Sequence, residues 1–245
     1  MSWYKGAIAG LAGLVTLWLL TRSSSAASSN LAPSVPAGPL MDAGKAKSLT
    51  PDWTDEDYRT LVEIAQRNKI NPADLWLVIV SESGGKPWAV NRRADGFANA
   101  VGLIQITQSA SGTAGITEEQ RLSVPSWSVT MQLPLVDKFF SKLPWTRAGR
   151  EYTHAGLVYE GVFAPGIMLL RGTSPDTVLY TKGKDGDAYK FNSGFDKANK
   201  GTITVGDLIE HVRPLVSQST YRAGLQRLRE VMGDPSVSPG LPSQS

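Results

Sequence analysis

The sequence predicts a mostly helical α+β domain with a small β element beside a buried central helix. Residues 71–80 carry a helix-start signal followed by apolar side chains on every helical face, as expected of a buried helix. Residues 88–91 and 101–106 have the composition of short strands, and the Asp-Gly pair between them is a turn signal. Several other segments repeat apolar residues at helical spacing.

The amino-acid composition limits the size of the folded domain and the kinds of binding site that it can contain. The 245 residues, 41% of them hydrophobic, suffice for one domain of ordinary size with extensions. The net charge of +3 is a mild basic bias that suits an anionic polymer, but no nucleic-acid-binding motif accompanies it. Cysteine is absent and only His154 and His211 are present, so we expect no disulfide, metal centre or cofactor.

The first 22 residues are predicted to form a transmembrane helix. Residues 6–20 are an apolar run between Lys5 and Arg22, and the aromatic residues around it resemble an interfacial belt. A cleaved signal peptide is the alternative, with a small-x-small site at residues 24–26. We favour a retained membrane anchor, although one basic residue on each flank leaves its orientation open.

Two further segments are predicted to lie outside the folded domain. Residues 23–50 are rich in Ser, Ala and Pro, cannot bury a core, and should form a flexible linker. Residues 234–245 have a similar composition and are predicted to be a disordered tail. The folded domain is therefore expected over residues 51–233.

The domain should begin with two helices. Thr54 is a good N-cap and opens an amphipathic helix that ends before residue 70. The central helix starts after Asn71, with Pro72 at its first position, and Gly84 supplies the left-handed residue that ends it.

The later helices follow from the same signals. Thr117 should open a short helix, and Ser126 should cap a longer one that is kinked or restarted at Pro134. Residues 150–163 are predicted to form another helix, and two more are expected to start near Val205 and Thr220.

Glu82 is the candidate catalytic residue. It lies on the last turn of the apolar central helix and shares a face with Leu75, Val78 and Ile79. Partial desolvation should raise its pKa and keep it protonated near neutral pH, as a general acid requires. A solvated Glu at a helix end is the ordinary alternative.

The segment from the central helix to Ile106 resembles the soluble lytic transglycosylase (SLT) and goose-type lysozyme superfamily. The resemblance lies in the Glu82-Ser83 pair, the extended piece ending at Asn91, and the Gly-Leu-x-Gln segment from Gly102 to Gln105. It implies a lysozyme-like fold with Glu82 as the sole acid/base. It also implies that Asn91 holds an N-acetyl group and that Gln105 and the Gly102 backbone grip neighbouring sugars. Ser83 is a further cleft candidate, although it more simply bonds to nearby backbone.

The third motif of that family, an Ala-Tyr-Asn triplet whose Tyr faces the catalytic Glu, has no clean copy here. Tyr159 is one candidate, favoured by its helical setting, and Tyr189 with Asn192 three residues later is another. Both tyrosines are equally compatible with ordinary packing roles.

Residues 196–207 have the outline of a calcium-binding loop. Ala198 and Lys200 occupy positions that should supply oxygen ligands, and a lysine ammonium repels a cation. We interpret the segment as a degenerate loop that leads into the helix near Val205.

The resemblance implies a lytic transglycosylase that cleaves the β-1,4 bond between N-acetylmuramic acid and N-acetylglucosamine in peptidoglycan. Glu82 would act alone, and the product would carry a 1,6-anhydro end. A goose-type hydrolase using Asp95 and water, and a non-catalytic wall-binding module, are the alternatives. Such an enzyme needs to face the cell wall, as a bacterial envelope protein or as a membrane-associated phage virion component used in host cell entry. The sequence leaves the oligomeric state open.

Overall fold

The computed structural model describes residues 53–92 and 96–242. This part of the chain is mostly helical with two small antiparallel sheets, which confirms the predicted α+β class. Its elements in chain order are α1 (Asp55–Arg67), α2 (Pro72–Ser83), β1 (Val90–Arg92), β2 (Ala98–Val101), β3 (Ile106–Thr107), α3 (Gln108–Ala114), α4 (Glu118–Ser123), α5 (Val129–Lys142), α6 (Pro144–Arg147), α7 (Ala155–Phe163), α8 (Met168–Arg171), β4 (Val178–Thr181), α9 (Gly186–Asn192), β5 (Thr202–Thr204), α10 (Val205–Val212) and α11 (Ser219–Met232).

The central helix α2 is the core of the domain. The Asn71 side chain caps it by accepting a hydrogen bond from the backbone N–H of Ala73, and Gly84 ends it in the left-handed conformation, as predicted. Every residue from Ala73 to Val80 is buried. Helices α1, α7 and α11 surround α2. At Gly224 of α11 an added Cβ would lie 2.2 Å from the Trp76 ring, so this glycine allows the close approach of α11 to α2.

The larger sheet lies beside the C-terminal end of α2. Strand β2 pairs with β1, with Val90 opposite Val101, and also with β3, with Val101 opposite Ile106. The strand predicted over residues 101–106 is therefore wrong as a single element: residues 102–105 form a tight turn between β2 and β3. Gly102 (φ +75°) and Gln105 (φ +51°) are both left-handed, a conformation that no strand adopts.

Two predicted helix boundaries are corrected. Helix α5 is capped by Ser128 rather than Ser126, and it runs from Val129 to Lys142 through Pro134 without restarting there. Helix α7 starts at Ala155 and not at residue 150. Tyr152 forms a parallel bridge with Ile70, with its N–H bonded to the Lys69 carbonyl oxygen, and this pairing keeps the segment before α7 extended.

Residues 234–242 lie against the domain, which differs from the predicted disordered tail. The Gly240 N–H donates to Asp74 Oδ1 (2.7 Å), and the Gly240 carbonyl oxygen accepts from the N–H of Ala155 (3.0 Å). Asn71 Nδ2 donates to the Ser238 carbonyl oxygen (2.8 Å). We call residues 234–242 the C-terminal strap. It joins the start of α2 to the start of α7, contacts that a Pro- and Ser-rich composition does not reveal.

The predicted anchor (1–22) and the predicted linker (23–50) lie outside the described residues. Within residues 53–92 and 96–242, none of the helices has the length and apolar character needed to cross a membrane.

Candidate functional site

Glu82 lies where two cavities meet. It is half-buried at the C-terminal end of α2. One cavity, of about 270 Å³, is open and polar, and is lined by Glu82, Ser83, Gln105 and residues 89–92. The other, of about 40 Å³, lies between α2, the larger sheet and α5, where Phe139 and Ile104 form much of its wall.

A third cavity adjoins the small one. It has a volume of about 240 Å³ and shares Thr107, Ala110, Phe139 and Val162 with the small cavity. Its lining is largely apolar, with the exposed Lys142 among its residues. The three cavities therefore adjoin one another, and Glu82 lies where the open polar cavity meets the small one.

Burial controls the ionisation of Glu82. Desolvation by its surroundings raises the pKa of the carboxyl from 4.5 to about 7, while a hydrogen bond from the Tyr159 hydroxyl acts in the opposite direction. The desolvation effect is larger, so a large fraction of Glu82 is protonated at neutral pH. This is the state from which a general acid donates its proton.

Tyr159 is the tyrosine that faces Glu82. It is buried on α7, and its pKa is raised well above the usual value by burial and by the neighbouring Glu82 carboxylate. The Ser81 hydroxyl also interacts with the phenol, although the two atoms do not form a hydrogen bond of good geometry. Of the two tyrosines considered from the sequence, the structure brings only Tyr159 to Glu82.

The turn at residues 102–105 forms the wall opposite Glu82. Gln105 lines both cavities that Glu82 lines, and its Nε2 donates to the carbonyl oxygens of Gly102 (2.9 Å) and Ala89 (3.4 Å). The Gly102 N–H donates to the Ala89 carbonyl oxygen (2.8 Å). Because the N–H and C=O of Gly102 are thus engaged within the protein, its predicted role in gripping sugars is corrected to one of shaping the turn.

Asn91 and Ser83 line the open cavity. Asn91 Nδ2 is buried without a hydrogen-bond partner, an unfavourable state that a ligand carbonyl oxygen would relieve. The Ser83 hydroxyl donates to the Ile79 carbonyl oxygen one turn earlier (2.9 Å), which is the local backbone bond expected of a helical serine.

Tyr189 and Asn192 lie apart from this cleft and line none of its three cavities. The Tyr189 hydroxyl donates to Asp196 Oδ2 (2.7 Å), and Asn192 Nδ2 donates to the Ala188 carbonyl oxygen (2.8 Å). Their predicted place in the cleft is therefore corrected: both stabilise local structure around α9.

The segment with the outline of a calcium loop is closed by its own side chains. Asp196 accepts from the backbone N–H groups of Lys200 and Gly201, and the Lys200 ammonium pairs with Asp207 (2.9 Å). Asp207 also accepts from the N–H of Thr204 in the capping box of α10. Within residues 53–92 and 96–242 there is no group of three or more His, Cys, Asp or Glu arranged to hold a metal ion.

Glu82 is the only acidic residue among the described residues lining the three cavities. Asp95, the predicted partner of a hydrolytic mechanism, lies outside the described residues. The sequence reasoning missed Gln132, whose buried amide supports the 102–105 turn, and Glu160, a fully buried carboxyl on α7. Gln132 is one of several polar residues in an amphipathic helix, and no local signal marked it.

Comparison with known proteins gives one match. The family model described as the transglycosylase SLT domain matches residues 60–148, a little over a third of the chain, from α1 to the end of α6. This span includes Glu82, Asn91 and Gln105 but not Tyr159. Neither a curated protein nor a solved structure matches the chain significantly.

Proposed function

We propose, from the match of residues 60–148 to the transglycosylase SLT domain model, that this protein is a peptidoglycan lytic transglycosylase with Glu82 as its single acid/base. The bond cleaved is the β-1,4 linkage between N-acetylmuramic acid and N-acetylglucosamine. The new muramic end closes into a 1,6-anhydro ring.

One observation carries this proposal. Glu82 is a single carboxyl with a pKa raised to about 7, and no second acid lies among the described residues that line the three adjoining cavities. Glycosidases that use water typically need two carboxylates. A site with one acid suits a reaction in which the substrate supplies the nucleophiles.

In the first step, protonated Glu82 donates its proton to the glycosidic oxygen. The carbonyl oxygen of the muramic N-acetyl group attacks the anomeric carbon as the C–O bond to the leaving sugar breaks, and an oxazolinium ion forms. Asn91 Nδ2, which is buried and lacks a protein partner, is suitably placed in the open cavity to orient the N-acetyl oxygen of a bound sugar.

In the second step, ionised Glu82 removes the proton from the C6 hydroxyl of the same sugar. The C6 oxygen then attacks the anomeric carbon, the oxazolinium opens to restore the N-acetyl group, and Glu82 is protonated again. No water is consumed. The Tyr159 hydroxyl stabilises the carboxylate between the two steps by hydrogen bonding, since this interaction lowers the pKa of Glu82.

The test is mass analysis of muropeptides released from purified peptidoglycan. We expect products one water lighter than hydrolytic ones with the wild-type chain, and none with Glu82→Gln. Glu160→Gln is a matched control, because Glu160 is also a buried carboxyl with a raised pKa but lines none of the three cavities. It should release the same anhydro products.

Other outcomes would identify the alternatives. Hydrated muramic ends that disappear in Asp95→Asn would indicate a goose-type hydrolase. Absence of any product, with binding to peptidoglycan retained in both wild type and Glu82→Gln, would indicate a wall-binding module.

We further propose that residues 1–22 anchor the protein in a membrane with the domain facing the cell wall. The proposal is supported by the apolar run at residues 6–20 and by the need of the domain to reach its polymer. Sedimentation of the full-length chain with membranes, and its release when residues 1–22 are deleted, is the expected result. Recovery of a shortened soluble chain would indicate a signal peptide.

A further inference from the structure

Gln132 holds the two walls of the cleft together through one buried amide. It lies on the first turns of α5 with a side chain that is 2% exposed. Its Oε1 accepts from the N–H of Leu103 (3.0 Å), within the 102–105 turn. Its Nε2 donates to the carbonyl oxygens of Pro87 (2.8 Å), Val124 (2.9 Å) and Trp127 (3.1 Å).

These contacts reach both sides of the site. Pro87 belongs to the segment that leaves α2 just after Glu82 and leads to the open cavity, whereas Leu103 belongs to the turn that carries Gln105. Gln132 itself lines none of the three cavities. It is thus connected to the cleft only through the backbone of its two walls.

The turn is built to fit this amide. At Gly102 (φ +75°), an added Cβ would lie 2.6 Å from both Gln132 Oε1 and Val124 Cγ1, so a side chain here would force these neighbours to move. Leu103 is also buried, and its N–H has Gln132 Oε1 as its acceptor. Gln105 adopts a left-handed conformation (φ +51°) that is uncommon for a residue with a side chain and needs support from its surroundings.

We propose that Gln132 is a positioning residue, which fixes the 102–105 turn relative to the end of α2 and so sets the distance between Gln105 and Glu82 across the cleft. This inference rests on the proposed function, since it takes the cleft to be a glycan site. A buried amide whose oxygen and nitrogen are both hydrogen-bonded is held in one position, and a misplacement of a wall residue by about 1 Å can lower a rate on the order of 100-fold.

The experiment is a double-mutant cycle with Gln132→Met and Gln105→Ala. Methionine has nearly the volume of glutamine but makes none of the four hydrogen bonds. We expect Gln132→Met alone to lower kcat/KM on soluble glycan strands by about 10-fold to 100-fold. In the Gln105→Ala background the same change should have an effect below about 3-fold, because Gln132 acts through Gln105. The pH dependence governed by Glu82 should stay unchanged.

Asn68→Leu is the matched control for lost stability. Asn68 is another buried amide, donating to the Ile64 carbonyl oxygen and to Asp137 Oδ1 (both 2.8 Å), and it lies away from the cleft. It should lower Tm as Gln132→Met does but leave kcat and KM unchanged. Equal losses of activity in the two variants, or additive losses in the cycle, would overturn the proposal.

A replacement variant and a second measurement ensure that the experiment tests the proposal. If Gln132→Met does not fold, Gln132→Glu takes its place in the cycle, because glutamate keeps the acceptor for Leu103 and loses the bonds donated by Nε2. The cycle is also measured as Kd for the same glycan strands in the Glu82→Gln background. Failure of wild type to form anhydro ends would overturn the proposed function, whereas additivity in Kd would overturn the role of Gln132 separately.

Discussion

At the Glu82 carboxyl, two opposing influences set the pH at which the protein should act. Burial raises its pKa to about 7, and the Tyr159 hydroxyl partly counteracts this. The first step needs the protonated acid. We therefore expect kcat/KM to fall tenfold per pH unit once the pH rises above about 7, as measured on soluble glycan strands. A fall beginning near pH 4.5, the usual value for Glu, would mean that the acid is solvated.

Tyr159→Phe tests how much the tyrosine hydroxyl lowers the pKa of Glu82. Removing the hydroxyl removes the hydrogen bond that lowers the pKa of Glu82, so the fall in kcat/KM should move to higher pH. We also expect kcat to drop about tenfold, because the Glu82 carboxylate loses a hydrogen bond of about 1.5 kcal/mol. Steady-state kinetics across pH measure both effects.

Tyr189→Phe is the control for that experiment. Tyr189 loses a comparable hydrogen bond, to Asp196, in a part of the fold away from the cleft. Its pH profile should match that of the wild type. If the pH profile of kcat/KM shifted in Tyr189→Phe and not in Tyr159→Phe, Tyr189 rather than Tyr159 would be the tyrosine that interacts with Glu82.

On helix α7, the residue next to Tyr159 creates a second pH-dependent property. Glu160 is fully buried, both of its carboxyl oxygens lack a partner, and burial raises its pKa from 4.5 to about 8. A raised pKa in the folded state means that folding favours the protonated form. Stability is then full at low pH and is lost as the pH rises from the unfolded value through the folded one.

Glu160→Gln should remove this loss, because glutamine stays neutral. The measured quantity is the free energy of unfolding of the variant minus that of the wild type. We expect this difference to be larger at alkaline pH than at acidic pH by on the order of 3 kcal/mol. Urea denaturation at a series of pH values from below 4.5 to above 8 measures the difference. The same pH dependence in variant and wild type would show that Glu160 is ionised without cost.

The turn between β2 and β3 shows what sequence patterns can and cannot give at the level of elements. The cap, apolar run and glycine stop of α2 are local signals, and they predicted that helix correctly. Residues 101–106 also look locally like a strand. Their turn depends on Gln132, thirty residues away from Gly102 in the sequence, and on an unusual backbone conformation at Gln105. Neither is visible in the composition of the segment.

The same distinction between local signals and tertiary packing applies to the residues of the candidate site. Glu82 and Gln105 could be placed from the sequence because they lie close to recognisable motifs. The sequence favoured Tyr159 over Tyr189 by its helical setting alone, because the contact with Glu82 depends on how α7 packs against α2. Glu160 was missed because burial of a charged residue type is set by tertiary packing alone.

At the scale of the whole molecule, the C-terminal strap joins parts of the fold that carry the site. It bonds to Asn71 and Asp74 at the start of α2, and to Ala155 at the start of α7. These two helices carry Glu82 and Tyr159. The strap also packs Val237 and Leu241 against the core.

Deleting residues 234–245 should therefore lower the free energy of unfolding by about 3 kcal/mol, because the strap's hydrogen bonds to the domain are lost and two apolar side chains lose their packing. Thermal or urea unfolding measures the change. Deleting residues 243–245 alone is the control and should have little effect, because the strap contacts described above all lie before residue 243. Equal stability of the two shortened chains would show that the strap contributes nothing.

Helix α2 is enclosed by α1, α7 and α11, and this arrangement bears on how the protein loses activity when heated. Residues Ala73 to Val80 of α2 are buried, and we expect the amide protons of such a segment to exchange with solvent only when the whole domain opens. Glu82 lies on the turn that directly follows this segment, so we expect the acid to be displaced mainly when the domain unfolds. Inactivation by heat and loss of tertiary structure should then share a single midpoint.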